Sequence, residues 1–186
     1  MRDRLDTVAF RGSTTGFGDA HTNVRARIIR MLLNESGFDV GFTKAIQGFQ
    51  QSSASELFKP NAMTGKDFEK YKYLLDIDGN AHSFNRQVLI GLSRSVMIRV
   101  NVFTDWIANG ILDGEFCHDV DARKSNRDVL HGLRHIRRVL MDDVDAAERT
   151  ADAYHALTRW LLRKEIATAY LKRAFSAYVS AVEFLD

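Results

Sequence analysis

The segment YKYLLDIDGNAHS, residues 71–83, holds an apolar run, a turn dipeptide and a helix-capping residue in direct succession. The apolar run predicts a strand over Tyr71–Ile77, and Asp78-Gly79 is typical of a tight turn. Ser83 is a good N-cap for a helix that begins there. A strand that is followed at once by a helix favours an α/β fold.

The same alternation of strand and helix patterns runs through the first two thirds of the chain. Short apolar runs predict strands at 8–10, 38–43 and 95–100. Apolar residues at helical spacing predict a helix from Thr22, its expected N-cap, with Gly37 shortly beyond its end. This order of elements favours a parallel sheet, because parallel strands need a crossover between them.

The remaining segments define a loop and a helical tail. Residues 47–65 are polar and predict a loop with little regular structure. Capping-box patterns at Thr64 and Ser125 predict helix starts, and three amphipathic segments follow the second one. We therefore expect one α/β domain over 1–186: a Rossmann-like parallel sheet with helices on both faces and a helical C-terminal tail over about 125–186.

Composition places the chain among ordinary globular proteins. Of its 186 residues, 45% are hydrophobic and 27% are charged, which is typical of a packed domain. The net charge of +2 gives no argument for a nucleic-acid partner, and Cys117 is the single cysteine, so a disulfide framework is excluded. The sequence contains no apolar run of about 18 residues and no signal-peptide core. We expect a cytoplasmic protein without a transmembrane segment, at most peripheral to a membrane.

Two loops are candidates for binding a ligand, because ligands of parallel sheets bind at the carboxyl ends of the strands. RGSTTG, residues 11–16, offers backbone amides, three hydroxyls and a guanidinium, all of which suit phosphate oxygens. Residues 78–83, DGNAHS, lead into a helix whose amino terminus suits a phosphate as well. Each loop is equally compatible with a solvated turn that has no ligand.

The pair Asp76-x-Asp78 suggests two further chemistries. In a haloacid-dehalogenase-like phosphatase, Asp76 would be the nucleophile. That reaction also requires a hydroxyl residue after the next strand and a late acidic pair, but Ser93 and Ser95 precede their strand. The metal-binding Asp-x-Asp of GT-A glycosyltransferases would need further ligands, and the sequence offers none at a suitable spacing. His131 and His135 likewise lack a third ligand.

Several separated motifs, taken in order, resemble one family. They are AFRGSTTG from residue 9, FDVGFT from 38, YKYLLDIDGNAHSF from 71, SRSVMIRV from 93 and the pair DW at 105–106. This series resembles glycosyltransferase family 90, which includes capsule- and lipopolysaccharide-related transferases and protein O-glucosyltransferases. The similarity covers residues 9–106 and extends more loosely through the closing helices to Tyr178.

The resemblance implies the C-terminal half of a GT-B glycosyltransferase, which binds a nucleotide-sugar donor, commonly a UDP-sugar, without a cofactor or an obligatory metal. The acceptor would be a glycan or a protein, and a separate acceptor-binding domain or chain would be a partner. The implied donor-binding residues are Arg11, Gly12, Ser13, Thr14, Thr15, Asp78, Gly79, Asn80, Ser83 and Asp105. Arg11 and the three hydroxyls after Gly12 would contact the diphosphate, and Asp105 would meet a donor hydroxyl.

The chain departs from the family pattern at several positions. Arg94-Ser95 stands where the family has Gly-Ser, Arg99 replaces a lysine, and Asn85 stands where some members have an arginine. The family-like region begins near Met1, so the acceptor domain and its general base are expected to be absent, and no catalytic residue is assigned. A catalytically inactive fragment or paralogue that acts as a binding module is therefore the alternative function.

Overall fold

The computed structural model describes residues 1, 3–47, 49, 53–81, 83–103 and 115–183. Within these residues, five strands form one parallel sheet in the order β2-β1-β3-β4-β5. The strands are β1 (Leu5–Ser13), β2 (Phe38–Lys44), β3 (Tyr71–Ile77), β4 (Val96–Asn101) and β5 (Cys117–Asp121). After β2 the chain crosses β1 and continues at β3, so the winding direction reverses between β1 and β3. This reversal is the topological switch point of the sheet.

Helices cover both faces of the sheet. They are α1 (Val24–Leu32), α2 (Gly65–Phe68), α3 (Phe84–Ser93), α4 (Asn126–Asp142), α5 (Val144–Leu161) and α6 (Lys164–Glu183), with a 3-10 turn at Ser55–Leu57. The apolar residues of α1 and α4 pack on one face, and those of α3 together with Tyr154 of α5 pack on the other. Among the described residues, no helix combines the length and the apolar character needed to cross a membrane.

Each central strand is buried on both faces, as a parallel sheet between two helical layers requires. In β1, Val8 and Phe10 face the α1/α4 layer and Ala9 faces the α3/α5 layer. In β3, Leu75 and Leu74 divide in the same way. The predicted fold class, a Rossmann-like parallel sheet with helices on both faces, is confirmed.

The predicted N-caps of α2 and α4 are confirmed, and that of α1 is wrong by one residue. Thr64 forms a capping box with Asp67, and the Ser125 hydroxyl accepts a hydrogen bond from the Asp128 amide, as predicted. The N-cap of α1 is Asn23 and not Thr22: the Asn23 side chain accepts from the Ala26 amide at 3.1 Å. The hydroxyl of Thr22 bonds instead to Asp19, which organises the preceding turn.

Strand β5 was not predicted from the sequence. Its five residues, CHDVD, contain two apolar side chains, and these lie on opposite faces of the sheet: Cys117 packs in the α3/α5 layer and Val120 in the α1/α4 layer. Because polar residues fill the other three positions, the segment shows no alternation of apolar and polar residues. Pairing with the buried strand β4 makes it a strand.

Helices α3 and α5 touch at a glycine. A Cβ at Gly91 of α3 would lie 1.9 Å from the Thr158 hydroxyl oxygen of α5, whereas a Cβ at Gly65 of α2 would meet nothing within 4 Å. Because Thr158 is buried, it has little room to move away. Helix propensity alone favours alanine over glycine in both helices. A different effect of alanine at positions 65 and 91 would therefore come from side-chain packing.

We expect Gly91→Ala to lower the free energy of unfolding by about 1–3 kcal/mol, since the added methyl group overpacks the α3–α5 contact. Gly65→Ala should leave it unchanged or raise it by up to about 1 kcal/mol. Urea denaturation of both variants measures the difference. Equal stabilisation by the two substitutions would contradict the close α3–α5 contact.

Candidate functional site

Strands β1 and β3 separate toward their carboxyl ends. Their pairing ends at Ala9 with Leu74, whereas β1 stays paired with β2 as far as Ser13, and β3 stays paired with β4 as far as Ile77. The separation leaves a crevice at the topological switch point, between the β1–α1 loop (14–23) and the β3–α3 loop (78–83). This switch-point crevice is where open α/β sheets bind their ligands.

Arg25 of α1 fills the base of the crevice. Its Nη2 and Nε donate to the Ile77 carbonyl at 2.8 and 2.9 Å, and its Nη1 donates to the Ser13 carbonyl at 3.1 Å and to the Thr15 hydroxyl. The residue is 4% exposed. Burial, together with the nearby Arg86, lowers the pKa of Arg25 to about 10, so the guanidinium remains charged at neutral pH. Arg25 thus joins the ends of the two strands that no longer pair.

Arg86 of α3 enters the same space from the other side. Its Nη1 donates to the Arg11 carbonyl at 2.8 Å, and its guanidinium lies 4.4 Å from the centre of the Phe10 ring. Its Nε is 3.8 Å from Asp76, and burial lowers the pKa of Arg86. A Cβ at Gly12 would lie 2.7 Å from the Arg86 Nη2, so the glycine makes room for this side chain.

Asp76 belongs to the interior of the sheet. It is fully buried in β3, and its Oδ2 accepts a hydrogen bond from Gln87 Nε2 at 3.0 Å. The interpretation of Asp76 as a strand residue is confirmed. A carboxylate with no exposed surface does not reach a phosphate ester, so the structure gives the phosphatase hypothesis no nucleophile.

The segment 13–15, which joins the end of β1 to the β1–α1 loop, uses two of its three hydroxyls for local structure. The Thr14 hydroxyl donates to the Ile46 carbonyl at 3.0 Å and accepts from the Ile46 amide at 2.9 Å, which ties the loop to the segment after β2. The Thr15 hydroxyl accepts from Arg25. Within the described part of the chain, the half-buried Ser13 hydroxyl makes no hydrogen bond. Ser13, the last residue of β1, is therefore the hydroxyl of this segment that can bind a ligand without breaking an existing contact.

Glycines bring the two loops together. A Cβ at Gly79 would lie 2.6 Å from the Thr15 hydroxyl oxygen and 3.0 Å from Arg25 Nη2. Gly16 has a φ of 125°, which a residue with a side chain rarely adopts, and a Cβ there would lie 3.5 Å from the Gly79 carbonyl. The two loops singled out in the sequence therefore lie against each other; that they form one ligand site stays a prediction.

The β3–α3 loop divides into a buried and an open part. Asp78 is 2% exposed, and its Oδ2 accepts from the amides of Val102 and Phe103 at 2.6 and 2.9 Å, so it holds the chain that leaves β4. Asn80 is exposed. Ser83 is at the N-cap position of α3, as predicted, but its side chain does not cap the helix. The Ser83 hydroxyl thus stays available at the positive end of the helix dipole.

Arg11 and Asp105 are the remaining predicted donor contacts. The guanidinium of Arg11 is directed to the amino-terminal end of β2, where it bonds to Asp39 Oδ1 at 2.7 Å and to the Asp39 carbonyl at 2.8 Å. Burial alone would raise the pKa of Asp39, but hydrogen bonds from Arg11 and Tyr71 hold it below its usual value. Asp105 lies outside the described residues.

A separate cavity of about 510 Å³ lies beside Arg11, away from the crevice. It is lined by Pro60, Asn61, Ala62, Met63, Asp67, Lys70 and Tyr71 together with Arg11. Because Tyr71 begins β3, this cavity lies near the amino ends of the strands. Ligands of such sheets bind at the other end, so we place the candidate site at the switch-point crevice.

Sequence reasoning did not assign a structural role to Arg25 or Arg86. Both appear in the sequence as cations next to a glycine-rich loop, which is a common sign of an anion site. The N–H groups of Arg25 are instead taken up largely by main-chain carbonyls at the ends of two strands. Arg86 donates to the Arg11 carbonyl, and its buried Nε has no hydrogen-bond partner among the described residues. The signal that could have identified them is their place in the first turns of α1 and α3, directly above the carboxyl ends of the strands.

Solved structures that share this fold include the following two. One is the C-terminal domain of a glycosyl transferase group 1 family protein (LpcC) from Francisella tularensis, with a TM-score of 0.53 and 12% identity over 88% of this chain and 89% of that chain. The other is a GtfA/B complex, with a TM-score of 0.56 and 10% identity over 91% of this chain and 35% of that chain. The present chain thus spans about a third of the second protein. No family model and no curated protein matches the sequence.

These likenesses establish the fold. The chain has the α/β architecture of the C-terminal domain of a GT-B glycosyltransferase, as the sequence predicted. Identities of 10% and 12% are too low to carry residue roles across. The roles of residues in the crevice therefore have to be argued from their own contacts.

We expect Arg25→Lys to lower the free energy of unfolding by about 2–4 kcal/mol, because lysine cannot reach both strand ends with one planar group and leaves buried carbonyls without donors. Arg30→Lys, an exposed substitution on the same helix, is the matched control and should change it by less than about 0.5 kcal/mol. Thermal or urea unfolding measures both. Equal effects would show that Arg25 does not hold the crevice together.

Proposed function

We propose that this chain is the donor-binding part of a glycosyltransferase and that the switch-point crevice holds the diphosphate of a nucleotide-sugar. The observation that carries the proposal is the open amino terminus of α3, where the Ser83 hydroxyl caps no amide. It lies across the crevice from a glycine-rich loop. Amides and hydroxyls at a helix start stabilise phosphate charge, and the fold is that of a glycosyltransferase C-terminal domain.

The direct contacts are assigned to groups that the fold leaves available. Ser13 and Ser83 contribute hydroxyls, and the exposed Asn80 contributes its main-chain amide. The Gly79 amide already donates to the Ala81 carbonyl at 3.2 Å, so Gly79 contributes close backbone approach. Gly12, Thr14 and Thr15 shape the first loop, and Asp78 positions the chain that leads to Asp105, which is proposed to meet a donor hydroxyl. Arg11 remains a predicted phosphate contact, and it would have to exchange Asp39 for the ligand to reach one.

The crevice has a cationic base without a large net charge. Arg25 and Arg86 lie beneath it, and the carboxylates of Asp76 and Asp78 lie nearby. A diphosphate therefore brings negative charge to a site where two buried guanidinium groups already have balancing partners. Binding would then depend on directional hydrogen bonds from amides and hydroxyls more than on bulk charge.

The finer assignment follows the motif resemblance. We propose a member or relative of glycosyltransferase family 90 that takes a UDP-sugar and transfers the sugar to a glycan or protein in polysaccharide, lipopolysaccharide or glycoprotein biosynthesis. No step is assigned to a general base, which the proposal places in a separate acceptor-binding domain or chain. The alternative function is a catalytically inactive binding module. A chain that binds the donor but transfers no sugar by itself would fit both this alternative and the donor-binding role.

Calorimetry with UDP and with UDP-glucose tests the proposed donor site. We expect measurable binding at millimolar ligand and a loss of about tenfold or more in affinity for Ser83→Ala and for Ser13→Ala, since each removes a hydrogen bond to a charged oxygen. Ser125→Ala is the matched control: it removes the hydroxyl that caps α4, outside the two loops of the crevice, at a cost of about 1 kcal/mol of stability.

The control should bind UDP as the wild type does. Absence of binding by the folded wild-type chain at millimolar ligand would refute the proposed function. Binding that both crevice variants leave intact would place the ligand elsewhere on the chain.

A further inference from the structure

Phe17 is an exposed aromatic residue in the otherwise polar β1–α1 loop. It is 97% exposed, whereas the next most exposed large apolar residue of the described chain, Tyr178, is 68% exposed. Single apolar residues are common on protein surfaces, so exposure alone assigns no role to Phe17. The conformation of the loop around it and its place beside the crevice are what distinguish this residue.

The backbone on both sides of Phe17 adopts conformations that suit glycine. Gly16 and Gly18 have φ angles of 125° and 100°, in a region that residues with a side chain rarely adopt. A Cβ at Gly18 would also lie 2.4 Å from the Thr22 hydroxyl oxygen. The chain bends over residues 16–18, and the two glycines allow this bend. Phe17 therefore lies at the middle of the bend, clear of the packed fold.

Hydrogen bonds on both sides of the bend hold the loop in place. Before Phe17, the Gly16 amide donates to Gln47 Oε1 at 3.2 Å. After it, Asp19 Oδ1 accepts from the amides of His21 and Thr22 at 2.9 and 3.0 Å. A ring on a loop that is already fixed costs less conformational entropy when a ligand packs against it than a ring on a loop that must first be ordered.

The bend lies at the rim of the switch-point crevice. A Cβ at Gly16 would lie 3.5 Å from the Gly79 carbonyl oxygen, so residue 16 is where the β1–α1 loop approaches the β3–α3 loop. Consecutive Cα atoms are about 3.8 Å apart, so Phe17 follows directly on this contact. A ligand that extends from the crevice along the tip of the β1–α1 loop therefore passes close to the ring.

The size of the apolar surface decides the kind of occupant. The other apolar residue of the loop, Ala20, is buried, so Phe17 offers one isolated ring. A stable protein–protein interface buries about 800 Å² on each partner, which is several times the area of one aromatic side chain. One flat ring matches one planar group of a small ligand, and the stacking of a nucleobase on an aromatic side chain is a contact of this kind.

We propose that Phe17 is the platform on which the base of the nucleotide stacks, beside the diphosphate. This inference rests on the proposed function, because it takes a nucleoside diphosphate as the ligand of the crevice. With the diphosphate at the hydroxyls of Ser13 and Ser83, the nucleoside end leaves the crevice along the tip of the β1–α1 loop. The ring and the base then cover each other, and both apolar faces leave water. A base covers a phenyl ring better than a hexose does, because the hexose ring is puckered and carries hydroxyls.

Calorimetry with UDP and with inorganic pyrophosphate tests the inference, because the two ligands share the diphosphate and differ by the nucleoside. We expect Phe17→Ala to weaken the binding of UDP by about fivefold to a hundredfold, the usual effect of removing the aromatic partner of one base. The binding of pyrophosphate should stay unchanged. Phe17→Trp keeps a flat aromatic ring and should bind UDP within about threefold of the wild type.

Phe175→Ala is the matched control. Phe175 is also an exposed phenylalanine, at 66%, and it belongs to α6, outside the two loops of the crevice. This variant should bind both ligands as the wild type does. In proton NMR spectra, the wild type should shift the H5 and H6 resonances of UDP upfield, as the ring current of a stacked phenyl group does, and Phe17→Ala should not. Circular dichroism shows that each variant is folded.

Three results would overturn the inference while the proposed function stands. The first is an affinity for UDP that Phe17→Ala leaves unchanged. The second is an equal loss of affinity for UDP and for pyrophosphate, which would show that residue 17 only shapes the loop. The third is a loss of affinity for UDP-glucose without one for UDP, which would place the sugar on the ring.

The remaining results separate the inference from the proposed function. If the folded wild-type chain binds neither UDP nor pyrophosphate, the proposed function and this inference are both refuted. If the wild type binds UDP but not pyrophosphate, the upfield shift of the UDP resonances decides whether the base stacks on Phe17. A loss for UDP and UDP-glucose in Phe17→Ala, with pyrophosphate binding unchanged, is the result that supports the inference.

Discussion

The insertion of two arginines between β1 and β3 is the interaction on which the candidate site depends. Where the two strands stop pairing, their carbonyl groups lose the hydrogen-bond partners that a continuous sheet would provide. Arg25 from one helical layer and Arg86 from the other donate to these carbonyls. Buried main-chain carbonyls without donors would cost about 1–3 kcal/mol each. The guanidinium groups let the sheet open at its switch point without that loss, and the opening is what creates a crevice.

In this arrangement, Arg25 serves to join two strands and is not free to bind a phosphate. A planar guanidinium with five donors suits the joining of carbonyls on two strands as well as it suits a phosphate. Once Arg25 is occupied in this way, the groups left for the proposed donor are the smaller ones above it, namely hydroxyls, amides and a helix terminus. The same constraint explains Gly79 and Gly12, because each makes room for an arginine or for a group bonded to one.

Polar groups also continue across the α3/α5 face of the sheet. Asp76 of β3 is paired in register with Arg99 of β4, and Arg99 with Asp119 of β5, whose carboxylate it bonds at 2.6 Å. Asp76 and Arg99 are buried. Charges of alternating sign on adjacent strands attract one another, and Arg99 and Asp119 are also hydrogen-bonded, so this face tolerates polar side chains where a fully apolar pattern is the rule. Charged residues occupy positions on this face where a strand usually has apolar ones. The alternation of apolar and polar residues that predicts a strand is therefore weakest in β5.

The sequence by itself determined the order of the first four strands and of the helices, the two loops at the carboxyl ends and the caps at Thr64 and Ser125, because each depends on residues within a few positions of one another. The tertiary structure decided the partners of the charged side chains. Arg25 meets a carbonyl 52 residues away, Arg86 one 75 residues away, and Arg11 turns to Asp39. It also decided that CHDVD is a strand. Such contacts depend on which strands become neighbours, and a local pattern holds no information about a partner that only the folded sheet brings within reach.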